Sequence, residues 1–212
     1  MKNVFFYPRV GKNYEKGFNG LKLLILGESH YCDEKCESCG KQSKHDCSDF
    51  TKDVFNRYID YKKGNGENEK WMNTFTRFTN VILENQVDNE TLIDFWDSVI
   101  FYNYVQSSTK GPRISPTSQQ FNESKDAFIE VLEKYKPDLI VVWGHRLWDN
   151  LPDIGRLGNE NILDDANSQF YYFKIENKEI PALKIYHPSS SSFNNEYSKY
   201  LKEAIRLVSK LE

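Results

Sequence analysis

The sequence predicts a layered α/β fold built on a mainly parallel sheet, and three observations carry that expectation. Short apolar runs alternate along the chain with amphipathic stretches of helical period. Several of those runs stop at polar groups, in Gly27-Glu28, Asn103, Gly144-His145 and His187-Pro188, and strand ends of this kind are where an open α/β sheet holds its ligand. No internal repeat divides the 212 residues, of which 39% are hydrophobic, so the chain is expected to be one domain with one sizeable core.

Leu21–Leu26 (LKLLIL), closed by Gly27, is too short for a typical helix and reads as the buried central strand. Residues 32–49 form a polar insertion. Phe50–Asp60 then spaces Phe50, Val54, Phe55, Tyr58 and Ile59 along one helical face. Lys62–Lys70 has the composition of an exposed loop, and Trp71–Glu84 is a second helix with Trp71, Phe75, Phe78, Val81 and Ile82 on one stripe. Asp94–Asp97 leads into a strand over Ser98–Val105. Ser107–Gln120 is rich in breakers and reads as a loop, and Ser124–Tyr135 is an amphipathic helix stopped by Lys136-Pro137. Leu139–Trp143 is a third strand and Arg146–Leu151 opens a short helix. Phe170–Ile175 and Ala182–Tyr186 are strands, and Glu196–Leu211 closes the chain as a helix with Tyr197, Tyr200, Leu201, Ile205 and Val208 inward.

Formal net charge is −3, so the overall basic excess common among nucleic-acid binders is missing, although a local basic rim would suffice. No apolar run is long enough to span a bilayer, and Met1–Asn13 lacks a signal-peptide core. The expectation is a cytoplasmic protein, in a compartment where disulfides are a poor account of its cysteines.

All four cysteines, Cys32, Cys36, Cys39 and Cys47, lie in the insertion with the spacing C-x3-C-x2-C-x7-C, and His45 sits among them. Reduced cysteine prefers buried positions, so its concentration in a Lys/Asp/Glu-rich loop points to metal. Zinc suits four such ligands and can order a loop too polar to pack by itself; an iron–sulfur cluster is the lesser alternative, and His45 or His30 could replace one thiolate. The first three cysteines also match the C-x3-C-x2-C pattern of radical S-adenosylmethionine enzymes. Cys47 closes a site which that chemistry needs open, so the expected role is structural.

The strand-end motifs resemble those of the uracil-DNA glycosylase superfamily. In its iron–sulfur type a first strand ends in Gly-Glu-Ala-Pro-Gly, and Leu24-Ile25-Leu26-Gly27-Glu28-Ser29 is similar. A second strand there carries an Asn before a Gly-Asn-Arg-x-Pro-Thr loop, matched by Phe101–Val105 with Asn103 and then by Gly111–Thr117. A Lys-Pro-x-x-Ile-Val strand ending in Gly is similar to Lys136–Gly144, and a closing His-Pro-Ser to His187-Pro188-Ser189. The resemblance implies a three-layer αβα sandwich, residues 1–212 as one domain with a metal-binding insertion at 32–49, and hydrolysis of an N-glycosidic bond in DNA. Two departures stand out. Ser29 falls where the uracil enzymes carry a water-activating aspartate, and the cysteines lie in one insertion instead of distant segments.

Residue chemistry leads to the same place. Breaking an N-glycosidic bond builds positive charge on the sugar and negative charge on the departing base, so the site needs an anion near the first and a donor near the second. Glu28 and His187 supply those signs. Asn103 can donate and accept in one plane, as reading the edge of a flipped pyrimidine requires. Tyr31, or less favourably Phe50, could stack on the base beside Ser29, while Arg113, Lys110, Ser189, Ser190 and Ser191 could hold phosphates. Each residue also has a plainer reading: Glu28 as a strand-end cap, His187 as a structural histidine, Asn103 bonded to backbone, His145 and Trp148 as packing groups. The expected partner is DNA and the expected state a monomer. The rival functions are a non-catalytic nucleic-acid-binding module and, further off, a serine hydrolase using Ser29 and His187, although no Gly-x-Ser-x-Gly elbow is present.

Overall fold

A computed structural model describes residues 1–32, 47–163 and 168–210. Its strands are β1 (Arg9–Val10), β2 (Leu23–Gly27), β3 (Ile100–Asn103), β4 (Leu139–Trp143), β5 (Gly155–Asn161), β6 (Gln169–Ile175) and β7 (Lys178–Ile185). They form one mixed sheet in the order β1-β3-β2-β4-β7-β6-β5. The central strands β3, β2, β4 and β7 are mutually parallel, and antiparallel pairings extend the sheet at both edges. The helices are α1 (Phe50–Lys62), α2 (Met72–Ile82), α3 (Asn89–Asp97), α4 (Ser118–Glu123), α5 (Lys125–Tyr135), α6 (His145–Trp148) and α7 (Glu196–Val208).

The strand β2 is buried at every residue because both of its faces are covered, which is why its sequence is apolar without alternation. Leu23 and Ile25 join one apolar cluster with Phe55 of α1, Phe75 and Phe78 of α2, Trp96 of α3 and Leu201 of α7. Leu24 and Leu26 face the other way and pack with Phe128, Val131 and Leu132 of α5 and Leu147 of α6. Most of the phenylalanines and tyrosines are spent in these two clusters, as the helical stripes predict.

The chain leaves β2 through α1, α2 and α3 to reach β3 on one side, then passes through α4 and α5 to β4 on the other side. The carboxyl end of β2 is therefore the point where the winding reverses, and a crevice opens at such a point. Gly27, Asn103, Trp143 and Ile185 all end their strands along this one edge.

Several elements depart from the sequence expectation. β2 begins at Leu23 and includes Gly27, and the strand expected over Ser98–Val105 is confined to Ile100–Asn103. Asp94–Asp97 belongs to α3, which Asp88 caps by accepting from the Thr91 backbone N–H at 2.7 Å. The end of the expected Ser107–Gln120 loop is helical, opened by a Thr117/Gln120 capping box. The two-residue β1 and the polar β5 (GRLGNEN) carry no apolar alternation, and tertiary pairing alone makes them strands. Among the described residues no helix is long and apolar enough to cross a membrane.

Candidate active site at the carboxyl edge of the parallel strands

The segment after β2 is held by an irregular extension of the β2/β3 pairing. Tyr104 N–H donates to Gly27 O and Val105 N–H to Glu28 O, each at 2.9 Å, and Thr109 N–H donates to His30 O at 2.9 Å. Residues 27–31 are thus fixed by backbone bonds, leaving the Glu28 side chain to reach across toward β4. There its carboxylate meets Arg146, the second residue of α6: Arg146 Nε donates to Oε2 at 2.8 Å and Nη2 to Oε1 at 2.5 Å. The third guanidinium nitrogen, Nη1, donates to Ser115 Oγ and so ties the 107–117 loop to the same group. The Glu28 side chain is 16% exposed and that of Arg146 54%, so the carboxylate is mostly covered while the guanidinium faces solvent. Hydrogen bonding to Glu28 raises the Arg146 pKa further above its already high value.

His187 follows β7 and lies against the end of β4, its ring edge-on to Trp143 at 5.8 Å between centroids. Ser189 N–H donates to His187 Nδ1 at 3.2 Å, and Ser189 Oγ lies 2.8 Å from the same nitrogen. A ring nitrogen that accepts from a backbone N–H carries no proton, so neutral His187 holds its proton on Nε2. Burial lowers its pKa, partly opposed by the Glu28 carboxylate and reinforced by Arg146. His187, Glu28 and Arg146 therefore share one electrostatic environment.

Asn103 is 7% exposed and its amide is directed at His30: Nδ2 lies 3.1 Å from Nε2 and 3.2 Å from Nδ1 of that ring. His30 Nε2 is also 2.8 Å from Thr51 Oγ1 of α1. The amide nitrogen can only donate, so it serves whichever ring nitrogen carries no proton, while the Thr51 hydroxyl can donate to Nε2 or accept from it. Burial pushes the His30 pKa down to about 3, consistent with a neutral ring packed between Phe6 and Phe50. Gly27 stands beside Asn103 across the β2/β3 register, and a Cβ at Gly27 would overlap Asn103 Oδ1. The missing side chain makes room for the amide.

Glu28, Asn103 and His187 all lie along this edge, with Ser29 half-buried beside Glu28. Tyr31 is 44% exposed next to them, whereas Phe50 packs on His30 and is not presented as a stacking surface. Arg113 and Lys110 are exposed on the loop that Ser115 ties to Arg146, with Arg113 at φ 67°. Ser189, Ser190 and Ser191 do not open a helix, since α7 starts only at Glu196. They lie in a turn whose carbonyls are gathered by Arg77 of α2, which donates to Pro188 O at 3.0 Å, Ser190 O at 2.8 Å and Phe193 O. Any phosphate contact there would come from hydroxyls and loop N–H groups.

Sequence reasoning missed Arg146 and Arg77. Arg146 was legible only as the opening of a helix, yet a cation three residues after a strand that ends in Trp143 is close to the sheet edge by construction. Arg77 is a half-buried cation at the margin of the apolar stripe of α2, and that position is the signal it offered.

Cys32 is buried and its N–H donates to Thr109 O at 3.1 Å, while Ser48 O, one residue beyond half-buried Cys47, accepts from Tyr7 N–H at 2.8 Å. Both ends of the insertion are thereby pinned near the crevice. Cys36, Cys39 and His45 lie outside the described residues, and among those described no group of three or more His, Cys, Asp or Glu could hold a metal ion. The described polar partners of the His30 ring are Asn103 and Thr51.

No protein-family model matches the chain, and no curated protein matches it.

Proposed function

We propose that this protein is a DNA glycosylase of the uracil-DNA glycosylase type, a three-layer αβα sandwich that hydrolyses the N-glycosidic bond of uracil or a modified pyrimidine flipped out of DNA. The observation that supports it most is that a carboxylate, a neutral histidine and a buried amide lie at the carboxyl ends of neighbouring parallel strands, with the Glu28 charge acting on His187. In this reading Glu28 offsets the positive charge on the sugar or positions the attacking water. His187 Nε2–H donates to the base oxygen as it becomes anionic, and a neutral imidazole suffices for that. Asn103 reads the base edge, and its contact with His30 holds the amide plane. Tyr31 stacks on the base, Ser29 lines the pocket, and Arg113 with the Ser189–Ser191 turn meets phosphates.

Cys32, Cys36, Cys39 and Cys47 are a donor set that fits a structural zinc, and the pinned ends of the insertion suit a metal that orders the segment between them. The role assigned to that metal is structural. The work is expected to be done in the cytoplasm, by a monomer, in repair or in defence against foreign modified DNA.

A second reading, a nucleic-acid-binding module without catalysis, draws on one observation: both Glu28 oxygens are engaged by Arg146. Oligonucleotides carrying uracil, hypoxanthine, xanthine or modified cytosines separate the two. Abasic-site formation on any of them supports the enzyme, and binding without release of any base supports the module.

A further inference from the structure

On the lip of the same crevice, His145 and Tyr186 stack face to face, their ring centroids 4.4 Å apart and their planes 15° from parallel. They come from different strands: His145 opens α6 after β4, and Tyr186 follows β7 immediately before His187. Tyr197 of α7 fixes the arrangement from the side, edge-on to Tyr186 at 6.3 Å, with its hydroxyl 3.4 Å from the Tyr186 backbone N–H that donates to it. Tyr197 in turn stacks on buried Phe193 at 5.3 Å. Tyr186 nevertheless remains 40% exposed. A large ring held in place by three elements and still open to solvent gains nothing for the core from that exposure, and it is preorganised for a planar guest.

The neighbours narrow the guest. Arg146, which adjoins His145, is committed to Glu28 and Ser115, but the loop it holds carries exposed Lys110 and Arg113, cations suited to a phosphate along the strand. In a duplex, each base already has both faces covered by its neighbours, so a protein ring can stack only on a base that is unpaired or unstacked.

We infer that the His145–Tyr186 pair is a stacking platform for an unpaired nucleobase flanking the target, which makes single-stranded nucleic acid the preferred partner of this crevice. The inference rests on the nucleic-acid reading of the site and adds to it the strand state of the substrate.

The test is equilibrium binding of a labelled oligothymidylate and of the same strand in duplex form, to wild type, Tyr186→Ala, Tyr186→Leu, Tyr186→Phe and His145→Ala, with circular dichroism verifying that each variant folds. Wild type should bind the single strand more tightly than the duplex. Tyr186→Ala and Tyr186→Leu should each weaken single-strand binding about tenfold, Tyr186→Phe should bind like wild type, and His145→Ala should fall between. No charge is lost at Tyr186, so the slope of affinity against salt should stay the same in its variants. Equal affinity across the Tyr186 series, equal loss on duplex, or a wild type that holds no single strand would each overturn the platform. If the ring dependence holds while no base is released from any modified oligonucleotide, the glycosylase reading fails and the platform stands. If bases are released and Tyr186→Ala binds like wild type, the platform fails alone.

Discussion

Arg146 grips Glu28 fork to fork, with paired hydrogen bonds of 2.8 and 2.5 Å, and uses its remaining terminal nitrogen on Ser115. One guanidinium thus connects the ends of β2 and β4 with the loop that follows β3. Lysine cannot reproduce this contact, because an ammonium has no fixed fork.

Replacing Arg146 should therefore affect chemistry more than folding. The guanidinium is half exposed and such pairs contribute little, so Arg146→Lys and Arg146→Ala should each change unfolding free energy by less than about 1 kcal/mol. Single-turnover base release should fall roughly tenfold in both, and the losses of Arg146→Ala and Glu28→Gln should be strongly non-additive in a double-mutant cycle. Full additivity would reduce the pair to an independent surface contact.

Asn103 and Gly27 form a second coupled pair. Gly27→Ala places a methyl group on the Asn103 carbonyl oxygen, so it should cost about 1–3 kcal/mol in denaturant unfolding and displace the amide. Asn103→Asp should shift preference toward cytosine-like edges, which present a different order of donor and acceptor, as measured by the ratio of rates on uracil and cytosine. Equal loss on both bases would confine Asn103 to holding His30.

The sign of the His187 shift sets a pH dependence. Burial lowers its pKa below the ordinary 6.5, so at pH 6.5, where a free histidine would be half protonated, more than half of His187 is in the neutral donor form. The decline of cleavage on acidification should therefore be centred below pH 6.5. Unfolded chain takes up a proton there that the folded ring resists, so this residue's contribution to stability is complete above pH 6.5 and is lost as pH falls toward the folded pKa. A rate that climbs on acidification through pH 6.5 would mean that the imidazolium is the working form.

For the cysteine insertion the expected outcome is about one zinc per chain by elemental analysis, and a melting temperature that drops when a chelator removes it. Cys36→Ser should lower stability more than it alters base release. Metal-free protein with unchanged melting would contradict the zinc assignment, and iron with visible absorbance would replace it by a cluster.

The central strands were legible because a parallel strand covered on both faces must be apolar throughout, as Leu23–Leu26 and Leu139–Trp143 are. Their polar ends were legible for the same reason: Glu28 follows a buried run directly, Asn103 ends one, and His187 comes two residues after another. What stayed hidden depends on partners distant in sequence. The β5 segment is a strand only because β6 pairs with it, and Arg146 is a site residue only because Glu28, 118 residues earlier, lies across the crevice. The short helix α4 was legible in principle through the Thr117-x-x-Gln120 capping box, but Pro112, Pro116 and the serines around it obscured that signal.

The central claim is that Glu28 and His187 act on opposite ends of one glycosidic bond, and single-turnover release of the base from a uracil or modified-cytosine oligonucleotide tests it most directly. Wild type should release a base from at least one member of the panel. His187→Ala and Glu28→Gln should each slow that release about a hundredfold or more while binding of the uncleaved oligonucleotide changes little. Release by both variants at the wild-type rate would contradict the account.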